Sequence, residues 1–545
     1  MKIALAQLNF HIGNFAENTN KIIDYIHQGI LEKADLVVFP ELAVCGYPPR
    51  DFLEFDDFIS RCDEALQEIA SHCQGIAAIV GSPSFNPDLK GKDLFNSAVF
   101  MTDGKIQSLR HKTLLPNYDI FDEYRYFEPN KEFNIIEYKG QRIALTICED
   151  LWDIQDDPMY TINPMDELMS FNPDLMINIA ASPFHRHQAR IRQQIMLDNV
   201  TRYNLPLFYV NHVGAQTELI FDGGSMVLSP DGFIAGQLSF FKEDFQIFEL
   251  ENVINCKESL SVQLRNPDEA VYEALVSGIR NYFEKLGFGK AILGLSGGID
   301  SAIVMVLAAE AIGPENVLGV LMPSQFSSDH SVNDALKLAE IIGCPAKVIP
   351  IEEAYHSFDS LLKPHFENLP FSIAEENIQA RIRAVILMGL SNKFGHILLN
   401  TSNKSEAAVG YGTLYGDMCG GLSVIGDLYK VEVYELARFI NRNMEIIPDN
   451  IITKPPSAEL RPDQKDSDSL PDYEILDKVL FQYIENRKGP RELAEMGFEK
   501  TMVDRILKLV NTSEYKRYQT PPILRVSSKA FGMGRRMPIV AKYLS

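Results

Sequence analysis

A chain of 545 residues, 46% apolar and 23% charged, is several times the length of an ordinary domain and easily buries a core, which excludes a disordered chain and points to two large domains. The 51 Lys and Arg stand against 74 Asp and Glu, and the net charge of −23 makes a field that repels polyanions, so nucleic acid and anionic membrane are excluded as partners. Seven cysteines without CxxC spacing suit a reducing cytoplasm rather than a disulfide or zinc scaffold, no uncharged stretch has the length of a membrane span, and MKIALAQLNF enters an alternating strand without the basic leader or apolar core of a signal peptide.

From Met1 to about Leu250, strand-like runs such as KIALAQL, DLVVFPEL, GIAAIVGSPSF, RIALTICEDL, DLMINIAASPF and LPLFYVNHV alternate with helical runs such as CDEALQEIASHC and ARIRQQIMLDNVTRYN. Asp103-Gly104 and Asp231-Gly232 each lie between apolar runs and predict hairpins, so this α/β domain is expected to contain antiparallel pairs. Glu41 in VVFPELAVCGY and Cys148 in LTICEDLW follow apolar strand runs, where the carboxyl end of a strand presents a side chain to a cleft; Lys112 follows the hairpin FNSAVFMTDGKIQSLR. A cysteine that attacks an amide needs a base for its proton and a positive group for the oxyanion. Cys45 reads as packing, and His185 and His187, on a polar loop without a third ligand, read as solvated.

Glu41, Lys112 and Cys148, in this order, resemble the Glu-Lys-Cys triad of the nitrilase (carbon–nitrogen hydrolase) superfamily, and the resemblance runs over nearly the whole first half. It implies a nitrilase-like α-β-β-α sandwich over residues 1–250, with Cys148 as nucleophile, Glu41 as general base and Lys112 as oxyanion stabiliser. It also implies that Tyr118 and Glu123 line the amide pocket of a glutaminase and that Ser182 contacts glutamine; Gln188, six residues on, stands where relatives often carry a basic residue. Trp152, the only Trp, follows the nucleophile closely and is expected to wall the same pocket.

Residues 251–266 lose the pattern and read as a linker. From Pro267 to the end, AILGLS, SAIVMVLAAEAIG, NVLGVLMPS, SVNDALKLAEIIG and AKVIPI alternate strand and helix, which predicts a doubly wound parallel sheet with ligands at the carboxyl ends of its strands. Further on, the polar segment LRPDQKDSDSLPDYE suits a mobile loop or lid. Ser296-Gly297-Gly298-Ile299-Asp300-Ser301 falls between the first strand and its helix, where backbone N–H groups and a helix N-terminus make an anion cradle. The loop holds no Lys, so it is not GxxxxGK[ST], and it is not GxGxxG. Asp300 is out of place in a simple phosphate nest, and a Mg²⁺ bridging it to phosphate oxygens resolves that.

The loop resembles the pyrophosphate loop of the N-type ATP pyrophosphatases, whose fold is Rossmann-like and akin to the adenine nucleotide alpha hydrolases. The stretch EENIQARIRAVILMGLSNKFGHILLNTSNKSEAAVGYGTLYGDMCGG, with KPPSAELRPDQ, resembles NAD synthetases in particular. That resemblance implies ATP contacts at Gly294, Leu295, Ser296, Gly297, Gly298, Ile299, Asp300, Ser301, Thr401 and Lys430. It implies contacts to the deamidated dinucleotide at Asn377, Glu406 and Lys516, and Mg²⁺ at Asp300 and Glu406.

The two halves together resemble the glutamine-dependent NAD(+) synthetase family, in which ammonia from glutamine amidates nicotinic acid adenine dinucleotide through an acyl-adenylate at the expense of ATP. Fusion is chemically coherent, since an amine free in neutral water is mostly protonated and cannot attack. The resemblance also implies a cytoplasmic homo-oligomer. Two other adenylating enzymes fit less well. A tRNA-thiolating enzyme calls for a basic surface and cysteines near the loop, whereas this chain is acidic and Cys344 and Cys419 lack CxxC partners; a GMP synthetase calls for a Cys-His-Glu glutaminase.

Overall fold

In the computed structural model, which describes residues 1–544 apart from 89, 156, 261–264, 368, 458, 463, 465 and 469, the chain divides into two units, Met1–Arg265 and Asn266–Ser545. Part of the expected linker, 261–264, and part of the expected lid, 463, 465 and 469, therefore lie outside the described residues.

The first unit holds two six-stranded mixed sheets. One contains β1 (Lys2–Gln7), β2 (Leu36–Val38), β3 (Ala77–Phe85), β4 (Leu94–Thr102) and β5 (Lys105–His111). The other contains β6 (Ile136–Tyr138), β7 (Gln141–Ile147), β8 (Leu175–Ala180) and β9 (Leu207–Asn211). A hairpin of β10 (Val213–Gln216) and β11 (Leu219–Asp222) follows, then β12 (Met226–Leu228) and β13 (Ile234–Gln237) join the second sheet and β14 (Asp244–Glu249) returns to the first. The orders are β14-β1-β2-β3-β4-β5 and β13-β12-β9-β8-β7-β6.

The period of two in each strand sorts its side chains between layers. Ile3 and Leu5 of β1, with Leu36, Val38, Ala77 and Ile79, pack with Ile143, Leu145, Ile177 and Ile179 of the second sheet in one core. The alternate residues Ala4, Ala6, Val37, Ala78 and Val80 face helices Phe15–Leu31 and Asp56–Ser71 in a second core. Helix Gln188–Tyr203 packs its Ile195, Met196 and Val200 into the core of the second sheet, completing an α-β-β-α order. Both expected hairpins form: Asp103 and Gly104 take φ of 54° and 73° between β4 and β5, and Gly232 takes 84° between β12 and β13. Two successive left-handed residues match the twist of a tight hairpin.

The second unit is built on a parallel sheet of β15 (Ala291–Gly294), β16 (Val317–Leu321), β17 (Ala346–Val348), β18 (Ile397–Asn400) and β19 (Leu422–Ser423), in the order β17-β16-β15-β18-β19. Strand order reverses between β15 and β18, so the loops that leave them part and open a crevice at their carboxyl ends. Helix Ile299–Ile312, which the glycine loop enters, is buried almost all round, and that fixes the loop to the core.

Candidate active sites

In the first unit, Glu41 lies three residues beyond β2, in a segment pressed against β3. Phe39 N–H donates to Ile79 O at 2.9 Å and Val44 N–H to Gly81 O at 3.1 Å. Gly81 makes this approach possible, because a Cβ there would stand 2.3 Å from Leu42 N and 2.5 Å from Pro40 O. Lys112 follows β5 directly and is fully buried, with Nζ 2.7 Å from Glu41 Oε1 and 2.8 Å from Glu123 Oε2. Asn96 of β4 donates to Glu41 Oε1 at 2.7 Å, and Tyr47 donates to Glu123 Oε1 at 2.9 Å. Burial alone would lower the Lys112 ammonium, but Glu123 and Glu41 hold it well above its ordinary value, so it stays a cation. Burial pushes the Glu123 carboxyl up to about 7 despite the pull of Lys112.

Cys148 directly follows β7 with φ of 43°, a left-handed conformation rare for a side-chain-bearing residue and of the kind found where a fold holds a residue under strain for use. Asp150 holds that turn: Oδ2 accepts from Ile147 N at 3.0 Å, while Oδ1 accepts from Thr113 N at 3.0 Å and Leu114 N at 2.9 Å. One carboxylate thereby ties the Cys148 turn to the segment that carries Lys112. Burial and the charge of Glu41 raise the Cys148 thiol well above its ordinary value, with Lys112 opposing, so the resting sulfur is protonated and needs a base.

The expected glutamine contacts surround this turn. Tyr118 donates to Glu149 Oε1 at 2.8 Å, and Tyr160 donates to the same atom at 3.2 Å. Trp152 packs on the inter-sheet core, and its Nε1 has no partner among the described residues. Ser182 follows β8 and accepts from Gln188 Nε2 at 3.4 Å. Cys45 is fully buried in the helix-facing core, as its reading as packing requires.

In the second unit a cavity of about 320 Å³ opens at the carboxyl ends of β15, β16 and β18. Its lining includes Gly294, Leu295, Ser296, Gly298, Ile299, Asp300, Ser301, Thr401, Glu406 and Lys430. Gly297 stands behind the loop: its φ is +78° and a Cβ would lie 2.2 Å from Ser331 O. Ser296 Oγ accepts from Gly298 N at 3.1 Å, and Ser301 Oγ donates to Gly298 O at 3.0 Å, which stiffens the loop from within.

Lys430 is buried and pairs with Asp300 Oδ2 and, at 3.5 Å, with Glu406 Oε1; Asn403 Nδ2 donates to Asp300 Oδ1 at 3.0 Å. Burial would lower Lys430, but Asp300 and Glu406 keep it above its ordinary value. Burial pushes the Glu406 carboxyl up to about 8, Lys430 opposing and Asp300 and Asp466 adding to the rise. Asp300 and Glu406 thus share one ammonium, with Asp466 acting on them from further away. Asn377 and Lys516 are not part of the cavity lining and bond the segment 410–417 instead: Thr413 Oγ1 donates to Asn377 Oδ1 at 2.7 Å, and Lys516 Nζ donates to Gly410 O at 2.7 Å and Gly412 O at 2.8 Å. Tyr411, Gly416 and Asp417 of that segment do reach the cavity.

Residues 2–254 match the Carbon-nitrogen hydrolase family and residues 271–520 match NAD synthase. A glutamine-dependent NAD(+) synthetase of Synechocystis sp. is 46% identical over 550 residues, covering 99% of both chains, and one of Acinetobacter baylyi is 41% identical over 99% of this chain and 98% of its own. The chain belongs to the glutamine-dependent NAD(+) synthetase family. A solved member from Acinetobacter baumannii, in complex with ADP, is 39% identical with a TM-score of 0.77 over 99% of this chain and 98% of its own.

Within this family member, several side chains at the two sites escaped sequence reasoning. Asn96 and Glu149 carried a usable signal, as a buried amide in the apolar strand LFNSAVFMT and as an acid beside the nucleophile. Tyr160, Arg383 and Lys454 carried none, since only the fold brings the first to Glu149 and the other two to the cavity wall.

Proposed function

We infer that this chain makes NAD: it converts nicotinic acid adenine dinucleotide, ATP, glutamine and water to NAD, AMP, pyrophosphate and glutamate. The observation that carries this reading is the burial of Lys112 between Glu41 and Glu123, with Cys148 in a left-handed conformation in the same unit, on a chain whose other unit holds a glycine-loop cavity.

In the first unit Glu41 takes the Cys148 proton as the sulfur attacks the glutamine side-chain carbonyl, and Lys112 faces the developing oxyanion. Glu41 returns the proton to the departing ammonia, and water then opens the thioester. Glu123 acts by holding Lys112 charged. Glu149, fixed by Tyr118 and Tyr160, supplies the negative charge that glutamine's α-ammonium requires, and Trp152, Ser182 and Gln188 wall the pocket.

In the second unit the Gly294–Ser301 loop and Thr401 cradle the ATP phosphates, with Lys430 as the buried cation beside them. The substrate carboxylate attacks the α-phosphorus, pyrophosphate leaves, and ammonia from the first unit displaces AMP. Asn377 and Lys516 set the segment 410–417 that meets the dinucleotide. Asp300 and Glu406 fit Mg²⁺: with Asp466 they outnumber the single Lys430, and this ion characteristically takes one or two protein carboxylates, with phosphates and water completing its shell. Bound there, Mg²⁺ supplies charge neutralisation for the pyrophosphate.

The protein works as a homo-oligomer in the cytoplasm. Ile373, Val385 and Met388 on helix Ile373–Phe394, with Phe371 just before it, are exposed apolar side chains available for self-pairing, and no helix among the described residues is long and apolar enough to cross a membrane. NAD formation from nicotinic acid adenine dinucleotide and Mg-ATP, with glutamine or ammonium, in wild type and Cys148→Ala tests the reading. The variant is expected to use ammonium alone. If neither source yields NAD while ATP is cleaved to AMP with another acceptor, the substrate assignment fails.

A further inference from the structure

We propose that Asn211 and His212, consecutive residues at the end of β9, form a clamp that holds Glu41 from two sides and are positioning residues for the glutaminase step. The proposal rests on the reading of Glu41 as the base.

The parallel ladder between β8 and β9 ends at the pair Ala180 and Asn211. Two residues further, the backbone of Ser182 has no partner in that ladder, and the carboxamide of Asn211 takes that place. Its Oδ1 accepts from Ser182 N at 2.9 Å and its Nδ2 donates to Ser182 O at 3.1 Å. A side-chain amide offers the same donor and acceptor as a peptide group, so it continues the ladder beyond its last strand residue. The second Nδ2 hydrogen goes to Gly223 O at 3.2 Å. The Asn211 backbone N–H goes to Ser225 Oγ at 2.9 Å, and that hydroxyl donates to Gln7 Oε1 at 2.8 Å. The amide is therefore tied to two other segments, at residues 182 and 223, while the Asn211 backbone is held through Ser225 to Gln7, and the amide has one orientation.

What it holds is the route to the base. Ala181 N–H, one residue before the clamped Ser182, donates to Glu41 Oε2 at 3.0 Å. Lys112 and Asn96 both reach the other oxygen, Oε1, at 2.7 Å. Each carboxylate oxygen is thus set from a different part of the fold, and the Oε2 side depends on the position of residues 181–182. His212 then fixes the backbone of the same residue: its Nε2 lies 2.6 Å from Glu41 O. A carbonyl only accepts, so Nε2 carries the proton. The imidazole sits between Phe10 and Phe221, with ring centroids at 5.7 Å and 5.5 Å, and cannot swing away.

Leu207, Phe208 and Val210 of β9 are buried and apolar, which is what packing asks of a central strand. Two buried polar residues in succession, Asn211 at 0% and His212 at 2% exposed, of which His212 bonds Glu41 directly and Asn211 bonds Ser182 beside the Ala181 donor to Glu41, are better explained by orientation of that carboxylate. Displacing a reacting group by about 1 Å costs on the order of 10²-fold in rate.

The test is the second-order rate of Cys148 alkylation by iodoacetamide in the full-length protein, read by mass spectrometry of the labelled peptide, with glutamine kcat and KM measured in parallel. Wild type, Glu41→Gln, Asn211→Ala, His212→Leu and His212→Gln are compared. We expect Asn211→Ala and His212→Leu to slow alkylation about 10- to 10²-fold, as a misplaced base does, and His212→Gln, which keeps a donor, to recover most of the rate. His212→Leu should lower kcat with KM unchanged, because His212 bonds the backbone of Glu41, whereas Asn211→Ala, which releases Ser182, should move both. Normal alkylation in both variants beside a slow Glu41→Gln overturns the clamp and leaves the base. Normal alkylation in Glu41→Gln overturns the base and the clamp with it. Equal loss in His212→Leu and His212→Gln, with KM raised in both, assigns the effect to packing and also overturns the clamp. Should Asn211→Ala fail to accumulate, Asn211→Asp, near in shape but lacking both donors, reads the same step.

Discussion

Replacing Lys112 by methionine keeps the length of the side chain, removes its charge, and leaves Glu41 and Glu123 facing a neutral thioether where Nζ had stood 2.7 and 2.8 Å away. Deleting one partner of a buried pair costs about 3–5 kcal/mol because the remaining charge has neither water nor counter-ion. Losing an oxyanion donor costs about 10²- to 10³-fold in kcat. The two losses separate by pH. Burial already raises Glu123 from 4.5 to about 7 with the lysine present, and without the lysine it holds its proton to still higher pH. A carboxyl raised above its unfolded value gives the folded chain the greater proton uptake, so its contribution to stability is present below the unfolded value and is lost as pH rises through the folded one. The variant should lose less stability at about pH 6, where Glu123 is neutral and only Glu41 lacks its cation, and should show most of the penalty at about pH 8.5, where both are without one. At about 2–4 °C of Tm per kcal/mol for a unit of this size, that penalty is a drop of roughly 6–20 °C in its transition. The assay pairs thermal unfolding at both pH values with NAD formation from glutamine and from ammonium. A glutamine loss below about tenfold, a Tm deficit equal at both pH values, or an ammonium loss that matches the glutamine loss would each refute the reasoning.

Asp300→Asn should stop pyrophosphate release with either nitrogen source, by at least about 10²-fold, since it removes a cavity carboxylate and half of the pairing of Lys430; a deficit confined to glutamine would count against the assignment. Gly297→Ala forces a Cβ to 2.2 Å from Ser331 O at a φ of +78°, and should raise KM for ATP at least about tenfold with both nitrogen sources; an unchanged KM would show the loop to be dispensable. Glu406, raised to about 8 by burial, binds a proton on folding, so stability of the second unit should fall as pH rises from about 6 to 8.5. Glu406→Gln cannot titrate and should flatten that slope, and parallel Tm profiles for the two proteins would exclude Glu406 as its source. Asp150→Asn leaves one oxygen for three backbone donors, so about 1–3 kcal/mol of stability and much of the glutamine activity should go together, as Tm and kcat measured on one preparation will show.

What the sequence made legible is what short-range chemistry determines. A strand, two glycines, an acid and a helix must turn N–H groups toward a ligand whatever surrounds them, so the 294–301 loop could be placed from eight residues. The order Glu41, Lys112, Cys148 was legible through its likeness to a known triad. What holds those three was not. The need for Gly81 arises only because residues 39–44 approach β3, and the pairing of Asp300 with Lys430 spans 130 positions. The loop called for a cation before Asp300, and the fold brings a lysine there. Composition gave no sign that Asn211 would serve as a peptide group, since a buried amide at a strand end acquires that meaning only when a neighbouring segment runs on past the last strand pair.

The pairing of β1 with β14 along all six residues, Lys2 with Glu249 through Gln7 with Asp244, bears on how the polypeptide is made. At about 5–20 residues per second of synthesis, β1 leaves the ribosome tens of seconds before the strand that covers its flank exists. During that interval the nascent chain carries an open, apolar edge, the kind of surface that recruits other strands. The glutaminase half cannot close until its last strand has emerged, by which time translation of the synthetase half has begun, and factors that shield nascent edges should govern the yield of the whole enzyme.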